Sequence, residues 1–390
     1  MLKRWLKVGT MIAAAGWCAG VATAQNSTNG QNTGNWQNTG NWQATSGQNT
    51  SFGNSSTFTA PTLKVGDKAP ALSVQNWLKG QPVTSFEPGK TYVVEFWATW
   101  CHPCRDVIPH LTDLQTLFKD KGVTVVGIST NEQNGLEDLS PFIEKMGSKM
   151  GYTVGFDGTG ATENAWMRAS GNTAIPTAFI VNKDGRIAWI GHPTHPKGQM
   201  DQVLAQVVDG TFDLSAAAAK EAQALQIQNR AHQAWNSGNH AEALNILMDL
   251  VDLDPAKYST AALQRFQGLL LYTRDYVGAY AWADAMIEGY YNDDPDVLTE
   301  IAWTIVQAPN LENRDLNVAL RACERAEQLT GGVQCSVLDT KARVHFMRGE
   351  LAQAVQLQQR AVELVADETM KPELELRLDE YQRAVASAEK

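Results

Sequence analysis

The chain has 390 residues, 43% of them apolar and 19% charged, which is enough for two or three globular cores rather than one. Acidic residues outnumber basic ones 42 to 32, a formal net charge of −10. That balance argues against nucleic acid or an anionic membrane surface as a partner.

Residues 1–24 read as a secretory signal. Lys3, Arg4 and Lys7 form a basic start, Val8 to Val21 is mostly apolar, and Ala22-Thr23-Ala24 is a small-residue cleavage pattern. A membrane anchor is the other reading, but the apolar run is short for a span and no basic stop follows it. A lipid-bearing Cys18 is poorly served by the bulky Trp17 before it. Cleavage after Ala24 predicts a periplasmic or secreted chain. The leader takes three of the 32 basic residues with it, leaving 29 against 42 acidic. Four cysteines then remain, Cys101, Cys104, Cys323 and Cys335, an even number in a compartment where disulfides persist.

Residues 25–62 are different material. "QNTGNWQNTGNW" is a six-residue duplication, followed by more Asn, Thr, Ser and Gly. So little apolar area cannot offset the entropy of ordering, so a disordered leader is expected, with Trp36 and Trp42 as sticky points or simply part of a spacer.

Strands and helices alternate over 63–212. "TYVVEFWAT" and "GVTVVGIST" are apolar, β-branched runs of strand length. Between them "CRDVIPHLTDLQTLFKDKG" places Val107, Ile108, Leu111, Leu114, Leu117 and Phe118 on one side of a helix, with Pro109 inside it and Gly122 as a stop. Helices near 136–149 and 160–170 follow, then "TAFIVN" and "RIAWIGH" joined by Lys183-Asp184-Gly185, a hairpin signal, and a last helix near 197–209. This order predicts an α/β domain with a mixed central sheet and helices on both faces.

Past Leu214 the strands vanish. Four blocks line up on one template, with turn positions Gly238, Arg274, Arg314 and Gly349 spaced 36, 40 and 35 apart. Each block is a polar turn followed by an Ala-rich amphipathic helix. The pattern over 213–390 resembles the tetratricopeptide repeat. Stacked helix pairs of that kind make a groove that takes a protein or peptide, or the repeats dock on the first domain.

Cys101 and Cys104 stand where an apolar strand gives way to a helix. Cys101 at the helix N-terminus gains from unpaired N–H groups and the helix dipole, which favour its thiolate. Cys104, one turn on, can close a disulfide and release a mixed-disulfide partner. Pro103 stiffens the first turn without losing a needed donor, and His102 between the thiols adds positive charge or is merely exposed. Glu95 interrupts the strand: it reads as a buried acid able to move the Cys104 proton through water, or as an edge residue in solvent, and its apolar neighbours favour the first.

"VVEFWATWCHPCR" resembles the active-site segment of the thioredoxin superfamily, and more closely that of the TlpA/ResA-like thiol–disulfide oxidoreductases. "KVGDKAPALSV" resembles that family's entry segment and "TAIPTAFIVNKDGRIAWIGHP" its second signature. The resemblance implies a thioredoxin-like fold over 63–212, with Pro176 as a cis proline facing the disulfide. It also implies a substrate groove lined by Ile175, Trp100 and His102. It implies protein disulfides as substrates, a membrane electron donor and no cofactor. One departure is Val107, where such proteins often carry an acid; the direction of electron flow stays open. A zinc or copper site built from Cys101, Cys104, His102, His110, His192 and His195 lacks a second ligand pair at matched spacing, so no metal is expected. Cys323 and Cys335 either staple a helix hairpin or are two buried small residues.

Overall fold

The computed structural model describes residues 61–196, 198–365 and 370–388; the signal and leader expected over 1–62 fall almost wholly outside them. The chain divides into two compact units, with the boundary between Ala262 and Leu263.

The first unit is built on a six-stranded sheet: β1 (Asn76–Lys79), β2 (Thr91–Trp97), β3 (Val123–Ser129), β4 (Thr153–Phe156), β5 (Thr177–Val181) and β6 (Ile187–Gly191). The spatial order is β1-β4-β3-β2-β5-β6. β2, β3 and β4 run parallel, while β1, β5 and β6 are antiparallel to their neighbours. The helices are α1 (His102–Phe118), α2 (Leu136–Met146), the short α3 (Ala161–Glu163) extended by a wide turn over 164–168, and α4 (Gln199–Asp209).

β2 lies at the centre with both faces covered, so all seven of its residues are buried. Its pleat sends Val93 and Trp97 to one core, against α1, α2 and α4, through Val107, Ile108, Leu111, Leu139 and Leu204. Val94 and Phe96 point to the other core, with Trp166, Phe179 and the entry residues Leu63 and Val65. The mixed sheet with helices on both faces is as the alternation predicts.

The expected boundary at 212 lies just before α5 (Leu214–Asn236), capped by the Asp213 carboxylate accepting from the Ala216 N–H. Leu214, Ala217 and Ala218 pack on the second core, and α5 pairs with α6 (His240–Leu253), so this compact unit runs on to 262. Burial of the first turns of α5 joins helix to sheet without a linker.

The second unit is all helical. From α7 (Ser259–Gln267), which spans the boundary, it continues with α8 (Tyr276–Ala285), α9 (Pro295–Gln307), α10 (Leu316–Thr330), α11 (Cys335–Met347), α12 (Leu351–Leu364) and α13 (Lys371–Ala388). α9 packs on α10, α11 on α12 and α12 on α13, while α9 also meets α11 and α8 meets α10. Sequence neighbours from α9 to α13 thus pack in turn, and α8 and α9 each reach the helix two ahead, as in a stacked array. Asp275, Asp294 and Asp315 cap α8, α9 and α10. Gly349 and Arg274 hold left-handed backbone at their turns, but in the third turn that conformation falls on Asn310 rather than Arg314. Arg314 instead donates to the carbonyls of Ile305 and Ala308 at the end of α9. Cys323 is a free, buried thiol, so it forms no staple with Cys335, which is also buried.

Candidate active site

Cys101 is the N-cap of α1, in extended backbone, and its sulfur accepts the Cys104 N–H at 3.2 Å. The β2 strand ends four residues earlier, which delivers the sulfur to the carboxyl end of the parallel strands, where open α/β sheets carry their sites. Cys101 and Cys104 form a disulfide with 5.3 Å between Cα atoms. Cys104 is fully buried and Cys101 nearly so.

Across from them the chain enters β5 through a cis Ile175–Pro176 peptide, and the Ile175 carbonyl oxygen lies 3.8 Å from Cys101 Sγ. Pro176 is buried and Ile175 half-buried. Trp100 is 50% exposed, and its indole N–H donates to the Asn131 carbonyl at 2.9 Å. His102 opens α1 and is half-buried. The structure therefore gathers Cys101, Cys104, Ile175, Pro176, Trp100 and His102 around the disulfide.

Glu95 sits on the α1 side of the sheet. β3 flanks it with Gly127 and β5 with Ala178, so the edge position is ruled out. It is 1% exposed, and neither carboxylate oxygen has a hydrogen-bond partner. Burial alone pushes its pKa well above the usual carboxylate range. Val107, where a family acid was absent, is buried in the α1 core.

Two carboxylates escaped the sequence reading. Glu132, in the loop after β3, accepts the Thr99 N–H at 2.8 Å, the Thr99 hydroxyl at 2.5 Å and the Ser129 hydroxyl at 2.6 Å. It thus ties down the turn that precedes Cys101. Glu163 accepts from the Thr130 hydroxyl and the Asn131 amide, bracing the loop that holds Trp100. The rule that site residues gather beyond the carboxyl ends of parallel strands would have flagged the loop after β3.

His110 and Asp201 pair at 2.9 Å between α1 and α4, and this hydrogen bond raises the His110 pKa. His192 and His195 bridge the turn after β6, and burial lowers the His192 pKa to about 4. Among the described residues no three His, Cys, Asp or Glu side chains cluster as metal ligands. Among them, too, no helix is long and apolar enough to cross a membrane.

The AhpC/TSA family matches residues 65–190. Protein FixW of Rhizobium leguminosarum is 34% identical over 161 residues, covering 40% of this chain and 71% of that protein. The chain belongs to the thioredoxin-like AhpC/TSA family. It is a thiol–disulfide oxidoreductase. The thiol-disulfide oxidoreductase ResA of Bacillus anthracis is 27% identical over 148 residues, 37% of this chain and 79% of that protein. A thiol:disulfide interchange protein of Chlorobium tepidum TLS superposes with a TM-score of 0.32 at 28% identity, covering 39% of this chain and 99% of that one. The family match ends at residue 190, so the helices beyond it take no support from it.

Proposed function

We propose that this protein is an exported reductase of envelope protein disulfides whose helical repeats recruit the protein it acts on. The observation that carries the reading is the placement of Cys101 Sγ. It lies at the N-terminus of α1 and 3.8 Å from the Ile175 carbonyl, on the strand-end that also holds the buried, unpartnered Glu95.

In the reduced enzyme the α1 dipole favours the Cys101 thiolate. The thiolate attacks one sulfur of the substrate disulfide; that S–S bond breaks, a mixed disulfide forms and the first substrate thiolate leaves. Glu95 takes the Cys104 proton, and Cys104 attacks Cys101 Sγ. The second substrate thiolate leaves and recovers a proton, and the Cys101–Cys104 disulfide is the product. Two electrons have passed from the dithiol to the substrate, and a membrane dithiol donor restores them. Trp100, His102, Ile175 and Pro176 form the rim on which an extended substrate segment lies, with the Ile175 carbonyl free to pair with its backbone. The basic, apolar, A-x-A leader supports export, and the stacked helix pairs support recruitment of a protein.

The reduction potential of the Cys101–Cys104 pair, measured in glutathione or dithiothreitol buffers, tests the direction. A value near or below about −230 mV supports the reductase. The alternative is an oxidase or isomerase, since a cation between the thiols would stabilise the reduced thiolate. A value near or above about −180 mV would establish it.

A further inference from the structure

Glu95 and Gly127 are register partners on β2 and β3, so the two positions face the same side of the sheet. A methyl group on Gly127 would lie 2.9 Å from Cε2 of Tyr152 and 3.1 Å from Nε1 of Trp97. Glycine here lets the phenol ring and the indole nitrogen pack directly against the β3 backbone, on the face that Glu95 shares. The charge of Glu95 acts on the Tyr152 phenol, which is buried beside it just before β4.

None of these polar groups is satisfied by the protein. Both Glu95 oxygens, the Tyr152 hydroxyl and the Trp97 Nε1 are buried with no hydrogen-bond partner. Two donors and a carboxylate collected in one interior are matched in kind, and an ordered water bridging them satisfies all three. The other titratable groups of this core are Cys101 and Cys104. His110 on α1 and Asp201 on α4 are occupied with each other. On α2, Glu137, Glu144 and Lys145 are exposed and Asp138 bonds to Asn134. Among the described residues no cation shifts the Glu95 carboxyl, whose pKa burial alone raises.

We propose that Tyr152 and Trp97 are positioning residues for Glu95: their O–H and N–H, joined to the carboxylate through a bridging water, hold it for proton exchange with Cys104. The inference rests on the reading of Glu95 as proton carrier. The proton leaves Cys104 Sγ for a Glu95 oxygen as the Cys104–Cys101 bond forms, then passes to the departing substrate thiolate; no electron moves through Tyr152 or Trp97. Neutral donors suit this task. A buried Lys or Arg would hold the carboxylate ionised and keep it from accepting the proton, whereas dipoles lend enough support for the charge to come and go.

The test is the pH profile of single-turnover disulfide reduction by the pre-reduced full chain, with wild type, Glu95→Gln and Tyr152→Phe. Titration of the Glu95 carboxyl carbon by NMR runs alongside in wild type and Tyr152→Phe. Tyr152→Phe removes one oxygen that bonds to no protein group, so the fold is retained, as near-ultraviolet circular dichroism will register. Losing a donor to the carboxylate moves the Glu95 midpoint upward, by about one pH unit in both measurements. If Glu95→Gln slows the step about a hundredfold while Tyr152→Phe leaves its midpoint in place, the inference is overturned and the role of Glu95 stands. A step that Glu95→Gln leaves at the wild-type rate removes the reading of Glu95 and the inference together.

Discussion

Glu95 in the sheet unit and Asp339 in the helical unit are both buried carboxylates whose pKa values burial raises, yet their surroundings are opposite. Asp339, on α11, accepts the Arg377 Nε–H of α13 and the Gln358 amide of α12, each at 2.8 Å. Gln358 also donates to the Leu374 carbonyl, and Arg377 lies over the Trp303 ring on α9. One carboxylate thus fastens three consecutive helices, while the other is left to dipoles. A charge that must stay put is given a cation and amides; a charge that must appear and vanish is given neither. Perturbed acids of the second kind mark sites of chemistry, and those of the first kind mark architecture.

The largest effect expected is that of Cys101→Ser, which removes the attacking sulfur and should drop disulfide turnover to background. Partner capture by the helical unit should persist, measured by pull-down of the same full-length chain. Loss of both would break the division of labour between the units. Cys104→Ser should instead accumulate the mixed disulfide with substrate, visible on a non-reducing gel.

Next comes Asp339→Ala, which strands the Arg377 guanidinium in the interior and should cost about 3 kcal/mol of helical-unit stability, read by urea unfolding. The remaining pair of Arg377 with Glu373, at 2.9 Å, keeps the cost at that end of the range. A simultaneous Asp339→Leu, Arg377→Leu replacement removes both charges and should recover most of the loss. Thiol chemistry at Cys101 should not follow either change.

Glu95→Gln should do the reverse to the fold while slowing the chemistry. The folded pKa of Glu95 lies above its unfolded value, so the ionised form is disfavoured in the folded state. Its destabilising contribution is present above the folded pKa, shrinks as pH falls through it and is gone below the unfolded value near 4.5. The variant should therefore melt higher than wild type in alkaline buffer and alike near pH 4. Resolution of the mixed disulfide should slow roughly a hundredfold. A variant that melts lower at high pH would show that Glu95 is held like Asp339, and the contrast would fail.

Much of this contrast was legible in the sequence, and the reasons are local. β2 reads as a strand buried on both faces because Val93, Val94, Phe96 and Trp97 leave no solvent side, which is also why Glu95 stands out. The helix after Cys101 follows from its 3.6-residue apolar spacing, and the β5–β6 hairpin from Asp184-Gly185. What escaped depends on strand order and on loops meeting in space. Glu132 reaches Thr99 across 33 positions, and Asp339 reaches Arg377 across 38. Tyr152 meets Glu95 only because β4 lies beyond β3 in the sheet. The repeat template aligned Arg314 with the other turns, but the longer α9–α10 connection moved the left-handed residue to Asn310.

The smallest effect expected lies at Glu132, and it separates holding the site from performing its chemistry. Its carboxylate takes the Thr99 N–H and hydroxyl and the Ser129 hydroxyl, so it locks Thr99, two residues before Cys101, to the end of β3. The same loop supplies the Asn131 carbonyl that orients Trp100. Glu132→Ala leaves these donors to water and should cost about 1.5 kcal/mol of order in the rim, near tenfold in kcat/KM for a protein disulfide. Glu132→Gln keeps one acceptor oxygen and the shape, and should restore most of that. A small aromatic disulfide needs only the Cys101 thiolate and not the rim, so its rate should change little in either variant. Equal losses for both substrates would mean that Glu132 acts on the sulfur itself, through the start of α1. The rim would then be part of the same machinery as Glu95 rather than its support.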